Sequence, residues 1–424
     1  GFMCAIRGRV PVYLYILSFM FWATSVTAQE RAPLTLAEAE DLGVADEPGR
    51  AAFLARAAAF EEQAVAAAQL PDPTLRVGLA NYPIAGGGFS AEGMTQAQLG
   101  FRQSFPRARS HNAAAKQAQA TAFTHGADAR NREVLKAVRK AWLDAYYAQQ
   151  ASNLVSESRP FFKDLMTITR SLYSVGRKSQ HDVLRAELEL SRLDDRLIET
   201  DRARAEAQAT LSRWLGQDAH RPIAMRLPDW SELPALADLH IGLAGHPTLA
   251  AAEADIAARQ AGVRVAEANK KPGWALDLGY GYRDGFLPNG EPRSDFVSLS
   301  VTVELPFFSK NRQDRKLVAA LSERRAAVSS QAELRTRLAS ELDAEYARWT
   351  DLTRRLSLYD SRILKLSSDQ AQAALLAYQS DAGDFADLMR AYIDDLNTRL
   401  EYTRLQVERA QSYAVLASLG GFES

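Results

Sequence analysis

Two periodicities alternate along this chain. A capping-box pattern at Thr35-Leu36-Ala37-Glu38 opens an alanine-rich helical region that reaches Leu70, where Pro71-Asp72-Pro73 breaks it. Two-residue alternation of apolar and polar side chains then predicts strands over about 73–82 and 95–105, separated by a loop that contains Gly86-Gly87-Gly88. Phe105-Pro106 closes the second strand. Helical spacing resumes and predicts a very long helix over 107–173 and a return helix over 179–215.

The same parts then recur in the same order. His246 to Lys271 is alanine-rich and helical, Lys271-Pro272 breaks it, and alternation predicts strands over about 273–283 and 295–305. Leu305-Pro306 stands 200 residues after Phe105-Pro106, and a second long helix over 311–378 precedes a return helix over 384–419. Tyr173 with Asp182-Val183-Leu184-Arg185-Ala186 is matched by Tyr378 with Asp387-Leu388-Met389-Arg390-Ala391, each pair 205 residues apart. The expectation is a tandem repeat, 29–225 and 246–424, joined by a linking segment over 226–245.

The strands ask for unusual surroundings. In the third, Trp274, Leu276, Leu278, Tyr280 and Tyr282 share one face; in the fourth, Val297, Leu299, Val301, Val303 and Leu305 oppose Ser298, Ser300, Thr302 and Glu304. About ten residues of strict alternation with aromatics near the ends suits a strand with lipid outside and water inside. A soluble hairpin covering a core shows the same alternation. Four strands cannot close a barrel, and lipid tolerates no open sheet edge, so a membrane location requires several chains to pool their strands; three would supply twelve. The polar face would then turn Arg76, Arg102, Asp277, Arg283 and Glu304 toward the lumen.

The helices are too long for a globule. The segment 107–173, carrying Pro160 inside it, would extend about 100 Å as one helix. A seam through Leu135, Val138, Trp142, Ala145 and Gln149 has coiled-coil spacing. Pro160 is expected to mark a kink or register change rather than an end.

At the start of the chain, Arg7 and Arg9 precede an apolar run from Val10 to Ala23, too short to span a bilayer. Small residues before Gln29 complete the pattern of a secretory signal peptide over 1–28, with an N-terminal membrane anchor as the alternative.

Composition narrows the chemistry. With 24 % charged and 47 % apolar residues, the 424-residue chain is neither a bundle of membrane helices nor a disordered polymer. Its 51 basic and 52 acidic side chains give no reason to expect nucleic acid as a partner. The single cysteine, Cys4, rules out a disulfide framework. The six histidines show no H-x-x-H spacing and the methionines do not cluster, so no metal site or cofactor is expected. Neither a nucleophile elbow nor an acid–base pair points to catalysis.

These features together resemble the TolC family of outer-membrane efflux ducts. The carriers are Leu34-Thr35-Leu36-Ala37-Glu38-Ala39, His246-Pro247-Thr248-Leu249, the two strand exits at Phe105-Pro106 and Leu305-Pro306, and the tip motifs Tyr173-Ser174-Val175-Gly176 with Asp182-Val183-Leu184 and Tyr378 with Asp387-Leu388-Met389. The resemblance implies an α+β membrane protein and a homotrimer. Its twelve-stranded outer-membrane β-barrel, four strands per chain, would continue as a long antiparallel coiled-coil tunnel in the periplasm. It also implies a passive duct, without catalysis, that meets a periplasmic membrane-fusion adaptor and an inner-membrane pump of the RND type. Leu70-Pro71-Asp72-Pro73, Asn81-Tyr82-Pro83 and Met94-Thr95 are similar to the branch that exports heavy metals; a drug-efflux or protein-secretion duct is the alternative within the fold. On this resemblance Val175, Gly176, Arg177, Lys178 and Ser179 form one adaptor-contacting tip and Asp381, Ala382 and Gly383 the other, while Asp387 and Asp384 line the periplasmic gate. Two departures stand out: Glu47-Pro48 replaces the usual Asn-Pro, and Asp381 occupies the position of a turn glycine. A secreted coiled-coil scaffold or adhesin is the reading from another class.

Overall fold

A computed structural model describes residues 32–422, so the expected signal peptide lies outside the described residues. Two short helices come first, α1 (Leu36–Ala45) and α2 (Pro48–Ala68), then strands β1 (Thr74–Ala80) and β2 (Gln96–Phe105). A helix of 66 residues, α3 (Arg109–Ser174), is followed by α4 (Gln180–Leu215). Next come α5 (Leu236–Ala244), α6 (Pro247–Ala268), β3 (Gly273–Tyr282) and β4 (Phe296–Glu304). The last part holds α7 (Gln313–Leu358), a π-helical turn over Tyr359–Ile363, α8 (Leu364–Gln379) and α9 (Phe385–Gly420).

Each boundary has a local cause. Thr35 caps α1 by accepting from the Glu38 N–H at 3.2 Å, but the reciprocal half of the expected capping box is absent because the Glu38 carboxylate takes two hydrogen bonds from Arg221. Glu47 caps α2 through the Gly49 and Arg50 N–H groups, at 3.0 and 2.6 Å, with Pro48 in the first turn, where no N–H is missed. An acid thus caps the helix where the resemblance implies Asn-Pro. Arg130 of α3 holds the same carboxylate at 2.9 Å and, with those backbone donors, keeps its pKa at about 2. His246 caps α6 in the matching place by accepting from Thr248 N–H at 3.2 Å on Nδ1. Burial first, then the charges of Arg132 and Lys136, hold its pKa down at about 4, so the ring stays neutral and able to accept.

The second long helix differs from the expectation of one unbroken rod. From Gln313 to Gln379 it has one residue more than α3, and the π turn, with its wider i→i+5 bonding, is where a single extra residue is absorbed. Pro160 does not end α3, which continues through it. The return helices α4 and α9 have 36 residues each and start 205 residues apart.

The apolar core is a string of small clusters spaced along the helices. Trp142, Val138 and Leu211 anchor one around the middle of α3; Phe162, Phe385, Leu388 and Met389 anchor another near the helix turns. A third gathers Leu239, Leu342 and Leu416. The expected seam proves too narrow: Leu135 and Gln149 are half-buried, whereas Val134, Ala141 and Tyr146 are buried, because α3 packs against α2, α6, α4 and α9 rather than one partner. Arg139, deep in this region, pairs with Glu40.

Candidate functional site

Two features can do something: a sheet at one end of the helices and a pair of helix turns at the other. The sheet is antiparallel in the order β1-β2-β3-β4, and its outer strands β1 and β4 each leave one backbone edge unpaired within the chain. Register places Leu75, Phe101, Leu278 and Leu299 in one row across all four strands, and Val77, Leu99, Tyr280 and Val297 in the next. All eight side chains are exposed. An apolar face of that extent open to water would be costly.

The opposite face is polar and small. One row reads Arg76, Gly100, Gly279, Ser298 and another Thr74, Arg102, Asp277, Ser300. Arg102 lies 3.6 Å from Asp277, which also accepts from the Thr302 hydroxyl at 2.9 Å. Arg76 lies across Gly100, with no acidic partner among the described residues. Glu304 is held by Arg107, whose guanidinium also donates to the Asn269 carbonyl at 3.1 Å and so ties the exit of β2 to the entry of β3. Arg283 sits one residue beyond β3. It donates to the carbonyls of Ser294 at 2.8 Å and Gly93 at 3.0 Å, and it stacks 3.9 Å from the Phe296 ring. Together with Arg293, which bonds the Ser90 and Asp284 carbonyls, it pins the two hairpin loops to each other. Nothing in the sequence marked Arg107 or Arg293, since their partners lie up to about 200 residues away.

At the far end, the turn from α3 to α4 is a Schellman cap. Gly176 adopts φ 75°, its N–H donates to Tyr173 O, and Arg177 N–H donates to Leu172 O. The turn from α8 to α9 repeats this bond for bond: Asp381 adopts φ 55°, its N–H donates to Tyr378 O, and Ala382 N–H donates to Ala377 O. Asp381 therefore fills the glycine position without altering the turn, as a short polar side chain can at some cost. Gly383 comes next, packed close against Ala377.

The two turns differ in their acids. Ser179 and Asp182 satisfy each other in a complete capping box at α4. At α9, Asp384 occupies the cap position with no side-chain cap bond, and Asp387 is exposed and pairs with Arg390 at 3.3 Å. The turns also touch: the Lys178 ammonium lies 4.7 Å from the centre of the Tyr378 ring, whose phenol is pushed up in pKa by burial. Val175, in the first turn, is exposed. Among the described residues, no group of three or more His, Cys, Asp or Glu side chains could hold a metal ion, and no helix is long and apolar enough to cross a membrane.

Residues 239–421 match the family model described as outer membrane efflux protein. Protein CyaE of Bordetella pertussis is 29 % identical over 328 residues, covering 74 % of this chain and 67 % of the relative. The crystal structure of CusC, described as a transmembrane channel, superposes with a TM-score of 0.77 at 16 % identity, covering 92 % of both chains. The outer membrane protein VceC of Vibrio cholerae superposes at 0.75 and 16 % identity, covering 91 % of this chain and 96 % of its own.

Proposed function

We propose that this chain, whose residues 239–421 match the outer membrane efflux protein model and whose fold is that of solved outer-membrane channels, assembles as three copies into one passive duct. The protein is no enzyme, and it resides in the bacterial outer membrane with its helices extending into the periplasm. The observation that carries the trimer is the open sheet. Nine or ten residues of strand rise about 30 Å, and at the usual barrel tilt they stand roughly 25 Å tall, the height of an outer-membrane apolar band. Lipid permits no free edge, so β1 of one copy pairs with β4 of the next, and three such pairings close twelve strands.

The polar sheet face becomes the lumen, with Arg76, the Arg102–Asp277 pair and Glu304 in it, and the clamped loops rim the outer mouth. The two repeats, 29–225 and 246–424, supply an outer and an inner helix hairpin to the tunnel, with 226–245 between them. Their turns, Val175 to Ser179 and Asp381 to Gly383, meet a periplasmic adaptor that couples the duct to an inner-membrane pump of the RND type. Asp387 and Asp384, left free of cap bonds, ring the axis in three copies as a cation-attracting gate. Heavy-metal cations are the cargo proposed, passing without a fixed ligand set. A drug-efflux or protein-secretion duct of the same architecture is the competing assignment.

Two experiments test this. The purified protein should run as a heat-modifiable, sarkosyl-insoluble species with the native mass of three chains; a soluble monomer or dimer would overturn the duct. A deletion strain should become sensitive to copper, silver, zinc, cobalt or cadmium and be rescued by the intact gene; sensitivity to drugs alone would remove the metal assignment and leave the duct.

A further inference from the structure

Where the apolar sheet face ends at its helix-ward side, the chain changes character abruptly. The last rows there are Phe105, Trp274 and Val303, with the Phe105 and Trp274 rings stacked 4.0 Å apart. Just beyond, Phe307 and Phe308 project into solvent, 76 % and 81 % exposed. Aromatic side chains at that level are what a membrane–water interface favours.

Cations follow directly. Lys310, Arg312, Arg315 and Lys316 come within eight residues of Phe308, all exposed, with Arg312 and Lys316 one helical turn apart. Lys271 arrives at the same level from the other side, two residues before β3. Asp314 is the one acid between Leu305 and Leu317, and it is already held by Lys270 at 2.8 Å and by the Ser309 hydroxyl at 2.9 Å. Among the described residues Lys271, Lys310, Arg315 and Lys316 have no acidic partner, and Arg312 donates only to the Phe308 carbonyl. A surface-stabilising role would pair these cations with acids, as the helices below do repeatedly, for example Arg355 with Glu401.

We propose that this collar binds anionic phospholipid headgroups of the periplasmic leaflet, with Phe307 and Phe308 seated among the upper acyl chains and Lys271, Lys310, Arg312 and Lys316 on the phosphates. The inference rests on the reading that the sheet spans the outer membrane. It commits to lipid rather than to a second copy because the collar is continuous with the apolar sheet face and its exposed, unpaired cations match the phosphates that border an acyl layer.

Trp274 provides the probe, since it lies at the collar's edge and is half exposed. The trimer, reconstituted in phosphatidylcholine bilayers, is titrated with brominated phosphatidylglycerol, and in parallel in phosphatidylglycerol bilayers with brominated phosphatidylcholine, reading tryptophan quenching. The expected result is a relative binding constant about five- to tenfold in favour of phosphatidylglycerol, collapsing toward one in high salt. In the variant K271Q/K310Q/R312Q/K316Q it should fall to about one. The single charge reversal K310E, at an exposed loop position, should lower it as well and serves if the fourfold variant does not fold. A wild-type constant near one, or a preference that survives both variants, overturns the collar. Loss of the trimer in detergent on making these changes would assign the cations to contacts between copies and overturn it too. If brominated lipid of neither kind quenches, the membrane-spanning reading itself fails, a result distinct from failure of the collar.

Discussion

The contact between Lys178 and Tyr378 joins the α3–α4 turn to the α8–α9 turn, so in the proposed duct an opening that swings α8 and α9 away from α3 and α4 would have to break it. At 4.7 Å and partly exposed, such a contact contributes roughly 0.7 kcal/mol. Three copies around the axis would bias the closed state by about 2 kcal/mol, a factor of roughly 30 in the closed-to-open ratio. Lys178→Met keeps the chain length and apolar stem while removing the charge, and Lys178→Arg restores a cation over the ring. In planar bilayers the methionine variant should spend about 30-fold more time relative to wild type in its high-conductance state, and the arginine variant should behave like wild type. Cells expressing the methionine variant should become sensitive to large antibiotics that enter through an open duct. The reasoning fails if the methionine variant forms intact trimers with wild-type conductance, because the contact would then be incidental to gating.

Three further outcomes follow from the local geometry. Asp381→Gly should relieve about 1 kcal/mol of left-handed strain at the second turn, and Gly176→Ala, whose methyl would meet open space, should cost a similar amount; hydrogen exchange at Ala382 and Arg177 N–H reads both. Glu47→Ala removes two cap bonds and the Arg130 pair and should weaken the α2 start by about 2 kcal/mol, seen as roughly 30-fold faster exchange of the Gly49 and Arg50 amides. Because the folded pKa of Glu47 is depressed to about 2, its contribution is present above the ordinary carboxylate range and is lost as pH falls toward 2, a dependence the alanine variant should lack. His246 behaves in the same direction for a different reason. With a folded pKa of about 4 against an ordinary 6.5, the unfolded chain binds more protons between those values, so acidification through that window should loosen the α6 start. His246→Asn, still able to cap, should remove the effect in amide exchange at Leu249 and Ala250.

What the sequence disclosed divides along the range of the interaction. Strand alternation, the prolines at 71, 73 and 272, and Gly176 are local signals, and the elements they predict lie within a few residues of where they form. The π turn was silent because one extra residue in a 67-residue helical run leaves no mark in a 3.6-residue pattern. Asp381 read as a departure because sequence grammar assigns left-handed turns to glycine, while the backbone bonds around it suffice to hold an aspartate there. Arg107, Arg293 and the Lys178–Tyr378 pair were illegible for the opposite reason, since each joins segments some 160 to 200 residues apart that only the folded hairpins bring together. The proposed pairing of β1 with β4 of another copy lies one step further out, since within one chain these strands are the two outer edges of the sheet. Yet the demand for it is written in each chain, in an exposed apolar sheet face that suits lipid and two edges whose N–H and C=O groups would find no other partner there. A sequence can thus state that a partner strand is required, and of what length and polarity, while on the proposed assembly the partner itself would be another copy.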